Sequence, residues 1–279
     1  MVRNIKIKVA YDGTNYHGWQ TQLNNATIQE TIEQAICIVM KQKSNLTGSG
    51  RTDSGVHALG QVANFTADTN IPEEKIKIAL NANLPNDIRI IESEDVSLDF
   101  NSRFNAHDKT YMYQIYNDRV WNPFYSRYSC FVPTSLDFKK MEKAVKFLIG
   151  THDFKGFMAA GSDVKTTVRT VYEANLIKEA NLIKLYITGN GFLYNMVRII
   201  AGTLIDIGKG IKDIDCIETA IKDKNRTMLG QTAEPQGLFL MNVNYDGFAM
   251  ENPSPTYCSS SNVIKNQEKF KNNLTDILT

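Results

Sequence analysis

The sequence has no run of about 18 apolar residues, the length a helix needs to cross a bilayer, so no transmembrane helix is expected. Its start, Met-Val-Arg-Asn-Ile-Lys, lacks the apolar stretch of a secretory signal, which makes the cytoplasm the expected location. Cysteine is scarce. The four cysteines, at 37, 130, 216 and 258, offer no Cys-x-x-Cys pair and no disulfide framework. Four scattered histidines (His17, His57, His107, His152) read as hydrogen-bonding or surface residues, and no metal is expected. An excess of charge of one sign is also missing: 31 basic residues face 30 acidic ones, for a net charge of +1. That is not the strongly basic profile of a typical nucleic-acid binder, so any contact with a nucleic acid has to rest on local patches.

What is present is ordinary globular protein. The chain has 279 residues, 42% hydrophobic and 22% charged, enough for one large or two ordinary domains with real cores. Ile5, Ile7 and Val9 alternate with Lys6 and Lys8, as in a half-buried strand. Asp12-Gly13 ends it, and Tyr16-His-Gly-Trp-Gln20 reads as an aromatic loop, more a packing element than a ligand contact. Thr27-x-x-Glu30 opens a helix with an apolar stripe of Ile28, Ile32, Ala35, Ile36 and Val39. A strand over 61–66, a helix from Pro72 with Ile76, Ala79 and Leu80 inward, and a strand over 87–94 complete the first part.

The second part repeats the order. It has a strand over 109–117 and a helix capped by Ser135 and stopped at Gly150. A hairpin over 167–178 and 182–188, a helix over 192–207, another from Asp213 or Asp215, and a strand over 238–245 follow. Each part can be written as a split βαβ unit, the second with one added helix, so the expected class is α+β with two similar ferredoxin-like halves and antiparallel sheets. The expected boundaries are 1–105, 106–248 and a polar tail over 249–279, whose Asn252-Pro-Ser-Pro255 and Ser259-Ser-Ser-Asn262 read as a mobile linker.

The densest local signal is Gly48-Ser-Gly-Arg-Thr-Asp-Ser-Gly-Val-His-Ala-Leu-Gly60. Four glycines permit φ > 0 and close backbone approach. Arg51 and Asp53, two apart, lean the same way in an extended loop and suggest a carboxylate held beside a guanidinium. It is not a phosphate-cradling loop, because Val56-His57 follow Gly55 where Lys-Ser or Lys-Thr belongs. Asp53 replaces the third glycine of a dinucleotide fingerprint, and Ser54 is not in a Gly-x-Ser-x-Gly elbow. Spacing alone leaves two readings, a catalytic loop and a glycine-rich turn with a surface ion pair.

The run Gly-Arg-Thr-Asp-Ser-Gly-Val-His-Ala-x-Gly-Gln-Val resembles the signature of the TruA family of tRNA pseudouridine synthases, over roughly the first nine-tenths of the chain. The resemblance implies two α+β halves around a central cleft, a homodimer, and isomerisation of uridine to pseudouridine in the anticodon stem-loop of tRNA. It implies Asp53 as the catalytic carboxylate, the nucleophile, with addition to the sugar and removal of the 2′ proton both left open, and Arg51 as the base-flipping arginine, in the gap left by the base or on the phosphate beside it. Tyr111, in Lys-Thr-Tyr-Met-Tyr-Gln-Ile-Tyr-Asn, resembles the tyrosine that stacks on uracil and is a candidate base at C5. Arg198, the only cation in Phe-Leu-Tyr-Asn-Met-Val-Arg-Ile-Ile-Ala-Gly, resembles the arginine that pairs with the aspartate; otherwise it reaches solvent at the helix edge. Arg103, Arg119 and Lys165 (in the loop 161–165) resemble tRNA contacts, and Leu238 an apolar wall for the base. By pattern alone the arginines are equally solvated surface residues.

The implied chemistry breaks a C1′–N1 bond and makes a C1′–C5 bond, so it calls for no redox cofactor and no metal. It needs a carboxylate at the ribose, a cation to hold that carboxylate, a base at C5, and a flipped nucleotide. One departure stands out. From Met158 the chain reads Met-Ala-Ala-Gly-Ser-Asp-Val-Lys-Thr-Thr-Val, without the base relatives often carry after the position of Phe157. The rivals are a relative acting on another RNA, a silent RNA-binding protein, and a hydrolase with a second carboxylate near Asp53.

Overall fold

The computed structural model describes residues 2–161 and 164–245. It is an α+β fold built on one continuous, largely antiparallel sheet. Strand β1 (Val2–Tyr11) pairs antiparallel with β3 (His57–Asp68) on one side and β4 (Ile88–Val96) on the other. The expected alternation appears, with Ile5, Ile7 and Val9 fully buried. The opposite face is not open to water as a half-buried strand suggested. Lys6 is itself buried and pairs with Glu94, while Lys8 reaches Glu92 at 3.4 Å, each across the β1–β4 ladder. Opposite charges at facing positions are the sheet's counterpart of helical i,i+4 pairs.

Helix α1 (Ile28–Met40) starts where Thr27 places its hydroxyl to accept from Glu30 N–H, the half of the predicted capping box that the structure makes. Met40 completes the buried stripe in place of the half-buried Val39. Helix α2 (Glu73–Asn81), preceded by Pro72, packs on α1 and β4 through Ile76 and Leu80. The short β2 (Thr47–Gly48) pairs with β3.

β3 begins at His57, four residues before the expected start, inside the glycine-rich motif. β5 (Ala106–Asn117) pairs with β9 (Leu182–Gly189), which pairs with β8 (Val168–Glu179), and β7 (Gly150–Asp153) closes that edge. β6 (Cys130–Val132) runs parallel to β5. β6 and β7, of three and four residues, are too short to show a period in sequence. Gly150, expected as a helix stop, opens β7. Helix α3 (Phe138–Ala144) is capped by Asp137 rather than Ser135. Helices α4 (Met196–Gly208) and α5 (Cys216–Asp223) follow, α4 packing on β5 and α3.

The last strand, β10 (Leu238–Tyr245), joins the two sets of strands. It lies between β3 and β5, parallel to β3 with Phe239 opposite His57. That insertion brings the glycine-rich loop before β3 alongside β5 and α4. The expected tail over 249–279 lies outside the described residues.

Candidate active site

The loop 49–56 is stapled on both sides of Asp53. Upstream, Ser49 N–H donates to the Val62 carbonyl at 2.8 Å, and Gln61 bonds both the Ser49 hydroxyl (2.6 Å) and the Gly50 carbonyl (2.9 Å). At Thr52 the carbonyl accepts from Trp19 N–H at 3.0 Å, and the hydroxyl bonds Tyr11 at 2.8 Å. Downstream, Val56 N–H donates to the Asp53 carbonyl and Gly55 N–H to the Tyr16 carbonyl. Every anchor uses backbone or a neighbour, which leaves the Asp53 carboxylate unencumbered.

The glycines divide by role. Gly55 has φ +76°, a left-handed turn that suits glycine. Gly48 is required by contact, since a β-carbon there would come within 2.6 Å of the Trp19 ring. The aromatic loop therefore packs, with Tyr16 and Trp19 buried, while its exposed His17 and Gln20 line the cleft.

Asp53 does not pair with Arg51 as their spacing suggested. Its partner is Arg198 of α4, with Nη1 3.3 Å from Oδ2. The guanidinium is fixed first. Its Nε donates to the Ala233 carbonyl and its Nη1 to Asn195 Oδ1, both at 2.8 Å. Ala233 N–H returns a bond to the Arg198 carbonyl at 3.1 Å. Asn195 holds this geometry from a left-handed N-cap (φ 61°), so α4 starts at Met196 rather than at 192, and residues 192–195 line the cleft ahead of it. Burial raises the Asp53 carboxyl above the ordinary carboxylate range, and the Arg198 charge pulls it back. The outcome is a half-buried carboxyl with one cation at its side.

Tyr111 is buried, with its ring edge-on to Phe192 at 5.2 Å. Burial, and secondarily the Asp53 charge, push its phenol above the usual range, so it is protonated at neutral pH. Tyr113, two residues on, is a packing residue, fully buried with its hydroxyl donated to the Glu234 carbonyl. Leu238, at the head of β10, is buried at the cleft wall.

Asp53, Tyr111, Phe192 and Leu238 share one cleft of about 1140 Å³. Of the residues singled out in the sequence, Asp53, Arg51, Arg103, Tyr111 and Leu238 line it, and Arg198 stands behind Asp53. Arg119 and Lys165 are exposed and outside the lining, although Gly161 and Val164, in the loop of Lys165, belong to it. Sequence reading passed over Lys109 and Phe192 as parts of the cleft. Lys109 was findable, since it lies two residues before Tyr111 on the same strand and so faces the same way. His57, in contrast, is structural. Its Nδ1 accepts from Gly13 N–H and its Nε2 meets the Arg127 carbonyl, with burial holding it below its ordinary pKa. Among the described residues no group of three or more His, Cys, Asp or Glu side chains converges as metal ligands would, and no helix is long and apolar enough to cross a membrane.

A family model described as tRNA pseudouridine synthase matches residues 7–105 and 144–246. The chain is 46% identical over 244 residues to tRNA pseudouridine synthase A of Acetivibrio thermocellus, covering 88% of this chain and all of that protein. It is 49% identical over 245 residues to the protein of the same name from Caldicellulosiruptor bescii, and 47% over 248 residues to tRNA pseudouridine synthase A 2 of Clostridium tetani, with the same coverage. The crystal structure of a Cbf5-Nop10-Gar1 complex superposes with a TM-score of only 0.33 at 13% identity, over 84% of this chain and 57% of that one, too loosely to add to the fold described above. Matched by the family model on both sides of the cleft and by relatives along their whole length, the chain belongs to the tRNA pseudouridine synthase family.

Proposed function

We propose that this chain isomerises uridine to pseudouridine in the anticodon stem-loop of tRNA, in the cytoplasm, with Asp53 as the nucleophile. The observation that carries the proposal is the Asp53 carboxylate, presented by a stapled loop and held at 3.3 Å by an arginine that is itself fixed by two other bonds. Catalytic carboxylates need this combination of charge, orientation and partial desolvation.

The target nucleotide leaves its stack and enters the cleft, and Arg51, exposed at the rim, takes the vacated place or the adjacent phosphate. Tyr111 and Leu238 receive the uracil face. Asp53 attacks ribose C1′ as the C1′–N1 bond breaks, the freed uracil turns, and C5 bonds to C1′ as the Asp53–C1′ bond breaks and releases the carboxylate. The C5 proton then leaves and N1 acquires one, so atoms balance without oxidant or hydrolysis. A protonated Tyr111 accepts the C5 proton only by passing on its own, and the Asp53 carboxylate, whose charge already acts on it, is the receiving base. Family resemblance supports a homodimer, which light scattering of the full chain tests by a mass twice that of the chain.

The substrate assignment is tested by incubating unmodified tRNAs with the protein, labelling pseudouridine with carbodiimide, and reading reverse-transcription stops. Stops confined to the anticodon stem-loop are expected. Stops elsewhere, or only in another RNA, would replace the substrate. Tight tRNA binding with no stops would leave a silent RNA-binding protein.

A further inference from the structure

We infer that Lys109 and Arg103 form a subsite for one phosphodiester of the substrate RNA, beside Asp53 and separate from Arg51. The inference rests on the reading above, that the cleft receives RNA.

Lys109 is a lysine in an unusual place. Its side chain runs into the cleft wall, and its ammonium donates to the Ser49 carbonyl at 2.5 Å. Among the described residues it has no other polar partner, and no carboxylate pairs with it. The loop backbone comes so close that a β-carbon on Gly50 would sit 2.9 Å from Nζ. An ammonium that is largely desolvated, beside a like charge and without a counterion, is disfavoured in the free protein. Its ordinary pKa of 10.5 is accordingly lowered to about 8, by burial first and by Arg103 second. A bound anion removes both penalties at once.

Arg103 supplies the second half. Its backbone is fixed by a polar cluster: Asn64 bonds Asn4 and the Ser102 hydroxyl, and Asn101 Oδ1 accepts from Arg103 N–H at 2.9 Å. Its guanidinium stays exposed over the Phe104 ring, on the same cleft. Among the described lining residues, Arg51, Arg103 and Lys109 face a single carboxylate, Asp53, which Arg198 already neutralises. The near-neutral chain therefore concentrates positive charge where a polyanion would lie. One ammonium held from below and one forked guanidinium at the rim match the two exposed oxygens of a phosphodiester.

The test is the salt dependence of tRNA binding, which reads the subsite whether or not the protein turns over. The slope of log affinity against log salt, from about 50 to 200 mM, reports the phosphates neutralised, at about 0.7 per contact for single-stranded RNA. The Lys109→Met, Arg103→Gln double variant is expected to lose about 0.7 of slope. Each single variant is expected to lose part of that, and Lys109→Arg to restore it. An unchanged slope in Arg103→Gln, whose exposed side chain puts folding at no risk, together with an unchanged slope in the double variant, would overturn the subsite and leave Lys109 as a buttress for the Ser49 carbonyl. A wild type that binds tRNA with the expected slope but forms no pseudouridine would overturn the proposed function and keep the subsite.

Discussion

Replacing Arg198 with methionine removes the cation from Asp53 and keeps an apolar chain of similar length in α4. The ion pair spans 3.3 Å, with side-chain exposures of 16% for Arg198 and 26% for Asp53. Exposed pairs contribute about 0.2 to 1 kcal/mol, and breaking a buried pair costs about 3 to 5 kcal/mol. This pair lies between those limits, so about 2 to 3 kcal/mol is lost, or ~30- to 150-fold in kcat/KM at neutral pH. The pH dependence carries the sharper signature. Burial raises the Asp53 carboxyl and Arg198 opposes it. Without Arg198 only burial remains, the carboxyl titrates at a higher pH, and the acid limb of kcat/KM moves upward. Activity lost at neutral pH is therefore partly recovered at alkaline pH. The assay is tritium release from tRNA labelled at uracil C5, across pH, with circular dichroism to verify folding. A folded variant whose acid limb stays in place would refute the reasoning, whatever its rate at neutral pH.

Three further outcomes are expected. Gly48→Ala pushes a methyl into the buried Trp19 ring, at a cost of about 1 to 3 kcal/mol, and lowers Tm by several degrees in thermal unfolding; an unchanged Tm would mean the contact relaxes freely. Tyr111→Phe keeps the ring against Phe192 but removes the hydroxyl, so KM holds while kcat falls by about 10²- to 10⁴-fold; an equal loss in both would reassign the hydroxyl to binding. Because the folded Asp53 carboxyl titrates above its unfolded value of 3.8, its ionisation costs stability as pH rises through the folded pKa. The stability gained by Asp53→Asn is therefore expected to be larger at pH 7 than below pH 3.8; a gain independent of pH would show that the carboxyl is not perturbed.

Sequence reading found what local period and local chemistry encode. The alternation of Ile5, Ile7 and Val9 located β1, and Thr27 located the start of α1. The motif around Asp53, with Tyr111 and Arg198, located the main groups of the cleft. What was not legible depends on distant contacts. Lys6 looked solvent-facing because Glu94 lies 88 positions away in sequence. Arg51 looked like the natural partner of Asp53 because it is close in sequence, whereas the packing of α4 delivers Arg198. The start of α4 was misplaced because one left-handed asparagine, Asn195, interrupts an apolar run that reads as continuous helix. The union of the sheets through β10 has no local signature, since the parallel pair Phe239–His57 joins segments far apart in the chain.

The most direct measurement is tritium release from unmodified tRNA carrying uracil labelled at C5, with the wild type beside Asp53→Asn. Making the C1′–C5 bond has to expel that hydrogen. Release by the wild type and none by the variant is the predicted result. Equal release by both proteins would keep the isomerisation and contradict the assignment of Asp53, and no release from any tRNA by the wild type would contradict the activity itself.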